Sequence, residues 1–244
     1  MIEIGDCREV MKAWPSAVAD ACITDPPYGD TSLDWDKICA GWIPEVARIL
    51  KPKASIWVFG SMRFLAPLFA EMAATGFKYS QDIVWEKQNG TGFHADRFRR
   101  VHEHAVLFYR GAWAEVYHAT QYTADATAKT VRRKTRPTHT GHIEAGHYVS
   151  EDGGPRLMRS VIRAKNMHGR ACHPTQKPEE LVAPLVRYSV PPGGLVIDPF
   201  MGSGTTAVVA VSNGRRYRGC ELDPKYKPQQ DARIAAASTV DIFD

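Results

Sequence analysis

Short apolar runs alternate along this chain with amphipathic stretches, the rhythm of an α/β protein. Ile2 and Ile4 alternate with polar neighbours and predict a strand. Val10, Met11 and Trp14 then share one face of a short helix that Pro15 ends. Residues 21–24, Ala-Cys-Ile-Thr, run without alternation, as a strand covered on both faces does. Ile38, Trp42, Val46, Ile49 and Leu50 recur at helical spacing up to Lys51-Pro52, and residues 55–59 predict the next strand. Ser61 can cap a second helix carrying Leu65, Leu68, Phe69 and Met72, with Pro67 marking its beginning or a kink and Gly76 its end. Strands are predicted again at 79–85 and 104–109, with a polar, basic loop over 87–100 between them. Trp57 and Phe69 fall at core-facing positions and read as packing. The alanine-rich stretch 224–237 predicts a peripheral last helix.

Two punctuated strand ends stand out. The run 21–24 leads into Asp25-Pro26-Pro27-Tyr28-Gly29, where the prolines forbid both a helix and continued ladder pairing, so the chain turns out of the sheet. An open α/β sheet binds ligands at the carboxyl ends of its strands, which makes Asp25 and Tyr28 candidates for chemistry. A proline turn capped by Asp beside a packed Tyr is the plainer reading of the same residues. The second is 195–197 running into Asp198-Pro199-Phe200-Met201-Gly202-Ser203-Gly204-Thr205-Thr206, a strand, glycine turn and helix start. Its glycines allow close approach of a ligand, and a helix beginning near Thr205 offers unpaired amides. The Gly-Lys-Ser/Thr ending of a P-loop is missing and the glycine pattern is not the dinucleotide one. Gly219-Cys220-Glu221 follows, with an acid at a strand end.

Together these strings resemble the β class of S-adenosylmethionine-dependent DNA amino-methyltransferases, over most of the chain from Gly5 to about Tyr226. The resemblance implies a Rossmann-like methyltransferase fold, with a mainly parallel seven-stranded sheet, helices on both faces and a permuted motif order. It also implies that Asp25, Pro26, Pro27 and Tyr28 are the catalytic motif. Ionised Asp25 and the Pro26 carbonyl would accept hydrogen bonds from an exocyclic amino group, while the Tyr28 ring offers a stacking face for an extruded base. Asp198, Phe200, Gly202, Ser203, Gly204, Thr205 and Thr206 match the cofactor loop, and Glu221 the acid that holds ribose hydroxyls. Asp6 and Cys7 would lie against the adenine of the cofactor, although Asp6 equally reads as a helix cap. Thr175, Gln176 and Lys177, in a family-like string over 173–178, would contact its methionine end; Thr175 also serves as a helix cap. The family needs no metal, and its members often dimerise. Its cytosine-N4 members usually carry Ser where Asp25 stands, so adenine N6 is the expected target. Cytosine N4 is the alternative; an RNA or protein substrate, or a non-catalytic DNA-binding role, stand further off. A restriction-modification setting is expected.

Charge adds a partner. Residues 129–170 hold 10 basic against 3 acidic side chains, whereas the rest of the chain holds 21 against 24. This block, with Arg132, Arg133, Lys134 and Arg136 clustered, suits a phosphate backbone and predicts double-stranded DNA as partner through a target-recognition insert over 118–172 of one catalytic domain spanning 1–244. A solvated basic loop is the alternative for this block and for 87–100, where Asn89, Phe93, Arg97 and Arg100 are candidate DNA contacts. His139, His142 and His147 lack the partners of a zinc site. Length and the 44% hydrophobic content fit one enzyme-sized α/β body. No run approaches the roughly 18 apolar residues of a spanning helix, and 1–6 do not read as a signal peptide. The five cysteines are odd in number and scattered, so no disulfide framework is indicated and a cytoplasmic setting is expected.

Overall fold

The computed structural model describes residues 1–91, 95–133, 146–167, 169 and 171–238. The chain forms two compact units, one of Met1–Ala119 with Ser160–Asp244 and one of Thr120–Arg159.

The first unit opens with β1 (Ile2–Ile4), the one-turn helix α1 (Cys7–Val10) and β2 (Ala19–Thr24). It continues through α2 (Ile43–Ile49), β3 (Leu50–Gly60), α3 (Met62–Ala74), β4 (Lys78–Thr91) and β5 (Arg100–Tyr109). The second unit supplies β6 (Tyr122–Thr123), β7 (Lys129–Arg133), β8 (Gly146–Ser150) and β9 (Arg156–Leu157). The first unit then resumes with β10 (Val161–Arg163), α4 (Glu179–Ser189), β11 (Leu195–Asp198), α5 (Thr205–Ser212), β12 (Arg216–Glu221) and α6 (Lys227–Ser238).

Among the described residues its sheet has eight strands in the order β1-β12-β11-β2-β3-β5-β4-β10. Of these, β5 runs antiparallel to its neighbours; the other pairings are parallel. The eighth strand corrects the seven expected: β10 pairs with the edge of β4 through Val161↔Val84, and it comes from residues assigned to the insert. Both faces are covered, and the period of two decides which residue faces which layer. Register partners Cys22, Ile56 and Phe108 enter one core with Trp42, Val46, Leu65 and Met72 from α2, α3 and their approaches. Their neighbours Ile23, Trp57 and Leu107 enter the other with Leu181, Leu185 and Val209 from α4 and α5. Trp57, almost fully buried, satisfies its indole N–H on Ser189 Oγ at 2.8 Å.

Some element ends differ from the pattern reading. The loop expected over 87–100 is shorter, because β4 extends to Thr91 and reaches Arg100 across a register shift. α2 begins at Ile43, with Pro44 in its first turn, rather than near Ile38. Pro67, read as a helix start or a kink, sits sixth in α3, and Pro184 likewise sits sixth in α4. Each removes one backbone bond, and burial of Leu65, Leu68 and Met72 or of Leu181, Val182 and Leu185 outweighs that loss. Ser61 and Thr175 make no side-chain cap; Asp6 does, accepting from Arg8 N at 2.9 Å.

The second unit, narrower than the 118–172 expected, consists of two antiparallel pairs, β6 with β9 and β7 with β8. Ala126 is the one buried apolar residue among its described residues, while Tyr122, Tyr148, Val149 and Leu157 are exposed. Polar ties do the joining: Arg156 pairs with Asp125 at 2.6 Å, and Asp152 accepts from Ala128 N at 2.7 Å.

Candidate active site

The end of β2 is fixed from below and from the side. Buried Thr24 donates to Asp198 Oδ1 at 2.8 Å, and the two prolines then carry the chain off the ladder. Asp36, an acid the sequence pattern did not single out, holds the turn. Its carboxylate accepts from the amides of Tyr28 (2.8 Å), Gly29 (2.9 Å) and Thr31 (2.8 Å) and from the Thr31 hydroxyl (2.7 Å). Burial works against its ionisation, but these donors win and keep the carboxyl below the usual range. Tyr28 packs its ring 5.4 Å from that of Phe64 and donates its hydroxyl to Asp25 Oδ1.

Lys177, expected at the methionine end of a cofactor, sets its ammonium on Asp25 Oδ2 at 2.5 Å and 3.2 Å from Glu103 Oε2. Glu103 in turn contacts Lys87, so four charges alternate in sign along β4, β5, the turn before α4 and the end of β2. Burial pushes the Asp25 carboxyl up, and the Lys177 ammonium only partly restrains it. Burial would lower Lys177, but Asp25 and Glu103 raise it above the ordinary lysine value. Glu103 and Lys87 gave no sequence signal: Lys87 falls in the stretch read as a polar, basic loop, and Glu103 lies just before the strand expected at 104–109.

At the end of β11, Asp198 is buried and its oxygens are taken by Thr24, the Thr206 hydroxyl (2.8 Å) and Phe200 N (3.0 Å). Its place is therefore beneath the turn, bracing it. Gly202 (φ +52°) and Gly204 (φ +79°) take left-handed conformations that suit glycine. Gly202 N donates to Glu221 Oε2 at 2.7 Å, and Asp223 N reaches Oε1 at 2.9 Å, which aims the acid at the end of β12 into the space above the turn. Ser203 and Thr205 share a hydroxyl contact of 2.9 Å, and Thr205 Oγ1 also reaches Lys177 O at 3.2 Å. Gln176 is turned inward, accepting from Cys172 N at 2.9 Å.

This space is a cavity of about 460 Å³, within the usual range of roughly 300–1,000 Å³ for small-molecule sites. Asp6, Cys7, Asp25, Pro27, Thr175, Gln176, Lys177, Asp198, Phe200, Gly202, Ser203, Thr205, Thr206 and Glu221 border it. Gly204 does not; it faces Gln230, which an added Cβ would meet at 3.3 Å. Acceptors at Glu221, free amides at the start of α5 and an aromatic wall at Phe200 and Tyr226 fit a zwitterionic nucleoside ligand such as S-adenosylmethionine.

A second cavity, of about 730 Å³, lies on the other side of the turn and is bordered by Asp25, Pro26, Tyr28, Trp85, Lys87 and Lys177, with Arg97, Phe98 and Arg100 at its rim. Asp25, Pro27, Trp35, Thr175, Gln176 and Lys177 border both cavities. Asn89 is exposed on β4, and Phe98 is a fully exposed ring (101%). Arg132 is exposed on β7, which also contains Arg133; Phe93, Lys134 and Arg136 lie outside the described residues. Among the described residues no three potential metal ligands cluster, and no helix is long and apolar enough to cross a membrane.

The DNA methylase family N6_N4_Mtase matches residues 19–231. The Type II methyltransferase M.HinfI of Haemophilus influenzae is 30% identical over 94% of this chain and 67% of its own length. The Type II methyltransferase M1.MboII of Moraxella bovis is 26% identical over 92% of both. Two crystal structures share the fold. The M1.HpyAVI–SAM complex has a TM-score of 0.63 at 23% identity, covering 96% of this chain and 98% of that one. The cytosine-N4-specific PvuII DNA methyltransferase has a TM-score of 0.67 at 17% identity, covering 100% and 87%. Since the family match runs from β2, whose end carries Asp25, into α6, the chain belongs to the S-adenosylmethionine-dependent DNA methyltransferases of the N6-adenine/N4-cytosine family.

Proposed function

We propose that this protein methylates adenine N6 of a base flipped out of duplex DNA, with Asp25 at the reacting centre. One observation carries the reading: Asp25 borders both the cavity suited to the cofactor and the cavity behind the basic rim. A base amino group in the larger cavity and a methyl donor in the smaller would meet there. S-adenosylmethionine, when bound, supplies an electrophilic methyl group on a sulfonium.

The chain's own residues account for the rest. An exocyclic amino nitrogen shares its lone pair with the ring, and two acceptors on its hydrogens draw that pair back. Asp25 supplies one acceptor and the Pro26 carbonyl the other, with no competing donor on the proline nitrogen. Tyr28 offers a face for the base. Glu221, Asp6 and Cys7 would receive the nucleoside half of the cofactor; the amides of 202–206, with Ser203, Thr205 and Thr175, would receive its methionine half. Asp198 and Thr206 brace that turn. Most of the rate comes from proximity and alignment of nitrogen and methyl carbon, which the junction of the two cavities supports. Arg97, Arg100 and the basic residues of the second unit, Arg132 among them, would hold the phosphate backbone.

Asp25 rather than Ser favours adenine. Cytosine N4 is the second reading, since the same acceptors suit either amino group and the fold also carries a cytosine-N4 enzyme. Labelled S-adenosylmethionine, unmodified duplex DNA and the pure protein, digested to nucleosides, decide by mass spectrometry. N6-methyladenine is expected; N4-methylcytosine refutes the choice of base, and no label refutes transfer to DNA. Asp25→Ala should abolish transfer while cofactor binding persists.

A further inference from the structure

Two lysines and two carboxylates form one nearly dry chain at the Asp25 turn, and the transfer reaction proposed above uses only its last member. Lys87 on β4 contacts Glu103 on β5, Glu103 Oε2 lies 3.2 Å from Lys177 Nζ, and Lys177 Nζ lies 2.5 Å from Asp25 Oδ2. The Lys87 and Lys177 side chains are each 8% exposed. Around Lys177 Nζ stand the rings of Phe59, Tyr28 and Trp85, with centroids at 5.4, 5.6 and 5.9 Å, and Lys87 Nζ lies 4.6 Å from that of Trp85. Aromatic faces favour a cation but do not cancel its charge, so an ammonium this far from water depends on its carboxylates.

The chemistry makes one of those carboxylates change state. In the transfer, the amino nitrogen's lone pair forms the N–C bond and the C–S bonding pair leaves with sulfur. The nitrogen, now cationic, releases a proton to Asp25. Asp25 is then neutral and no longer balances Lys177. Glu103 still does. Against the upward push of burial, the ammonium groups of Lys177 and then Lys87 hold its carboxyl down to about 2, so it stays ionised throughout.

Resting on that reading, we infer that Glu103 is a positioning residue: it keeps Lys177 charged and seated beside Asp25 through the whole cycle, so that the carboxylate meeting the base keeps one orientation. Lys177 belongs to this support and not to the cofactor's binding set. The charged and titratable groups facing Glu103 among the described residues are Lys87 from β4, Lys177 from the turn before α4, and Asp25 and Tyr28 from the end of β2.

Single-turnover methyl transfer to duplex DNA, measured against pH at saturating S-adenosylmethionine, tests the arrangement in the full-length protein. Glu103→Gln removes a negative charge that raises the Asp25 carboxyl, so the acid limb of the rate profile should move to lower pH; Lys177→Met should move it to higher pH. Glu103→Asp, which keeps the charge, should return the limb toward that of the wild type. Calorimetric S-adenosylmethionine affinity should be unchanged in all three, and this also certifies a folded site. Limbs that stay put or move the same way overturn the inference, as does loss of cofactor binding in Lys177→Met. If Glu103→Gln does not fold, the upward shift in Lys177→Met decides alone. A wild-type protein that labels no nucleoside refutes the transfer reading itself, and with it the inference. Normal wild-type transfer with unmoved limbs refutes the inference only.

Discussion

Asp198 is a carboxylate with three hydrogen-bond donors and no cation among them, and Asp198→Asn should turn that fact into a measurable pH dependence of stability. The side chain is 3% exposed and accepts from two threonine hydroxyls and one amide. Burial raises its carboxyl from the ordinary 3.8 to about 6, with the hydrogen bonds opposing. Because the folded state binds this proton more tightly than the unfolded chain, the contribution to stability is greatest below pH 3.8. It is lost as pH rises through about 6, and flat above that. A shift of about two units at about 1.4 kcal/mol each makes roughly 3 kcal/mol. Asn keeps the shape and one acceptor oxygen but never ionises. The wild type should therefore lose roughly 3 kcal/mol relative to the variant between pH 4 and 7, or roughly 6–12 °C in relative midpoint for a body of this size. All six tryptophans lie in the first unit, so fluorescence-detected thermal unfolding reads that unit alone. The double difference between proteins and between pH values cancels the other titrating groups. Parallel curves with a constant offset would refute the reasoning, since they would mean that Asp198 ionises without cost where it lies.

Asp36→Ala removes the acceptor of three amides and one hydroxyl behind the Asp25 turn. It should lower the single-turnover rate about 100-fold through misplacement alone while leaving cofactor affinity in calorimetry unchanged; an undiminished rate would count against the turn as a rigid element. Glu221→Ala deletes a charged acceptor at the wall of the smaller cavity and should weaken S-adenosylmethionine binding by about 1.5–3 kcal/mol, read as the dissociation constant. Phe98→Ala should leave the unfolding midpoint in place, because the ring is fully exposed, but raise KM for duplex DNA. That defect should shrink on a duplex whose target base is already mismatched and cheaper to extrude; an equal defect on both would assign Phe98 no part in opening the stack.

What the chain disclosed in advance was its punctuation. Prolines at 26 and 27 and glycines at 202 and 204 act locally, on their own dihedral angles, so the two strand ends could be placed without knowing what surrounds them. The unalternating run 21–24 was legible for the same reason that it is central: both of its faces are covered. Features set by distant partners were not legible. Glu103 and Lys177 are 74 positions apart and meet only because β5 and the turn before α4 converge. β10 is three residues inside a basic stretch, and nothing in Val-Ile-Arg distinguishes an edge strand from loop until β4 lies beside it. Pro67 left two readings open, a helix start or a kink within one, because local cost points one way and burial of the helix face the other; burial is the larger, and the residue lies inside α3.

The flanks of the second unit are each secured inside the first: Ala119 N donates to Tyr188 O at 2.8 Å, and Ser160 O accepts from Val84 N at 2.7 Å. A segment held at both ends in this way can be lengthened, shortened or exchanged without unravelling the sheet, since loop closure grows only slowly with length. Changes of length within 120–159 should therefore leave the unfolding of the first unit where it is, because the buried layers that hold that unit together draw nothing from the segment between its two anchors.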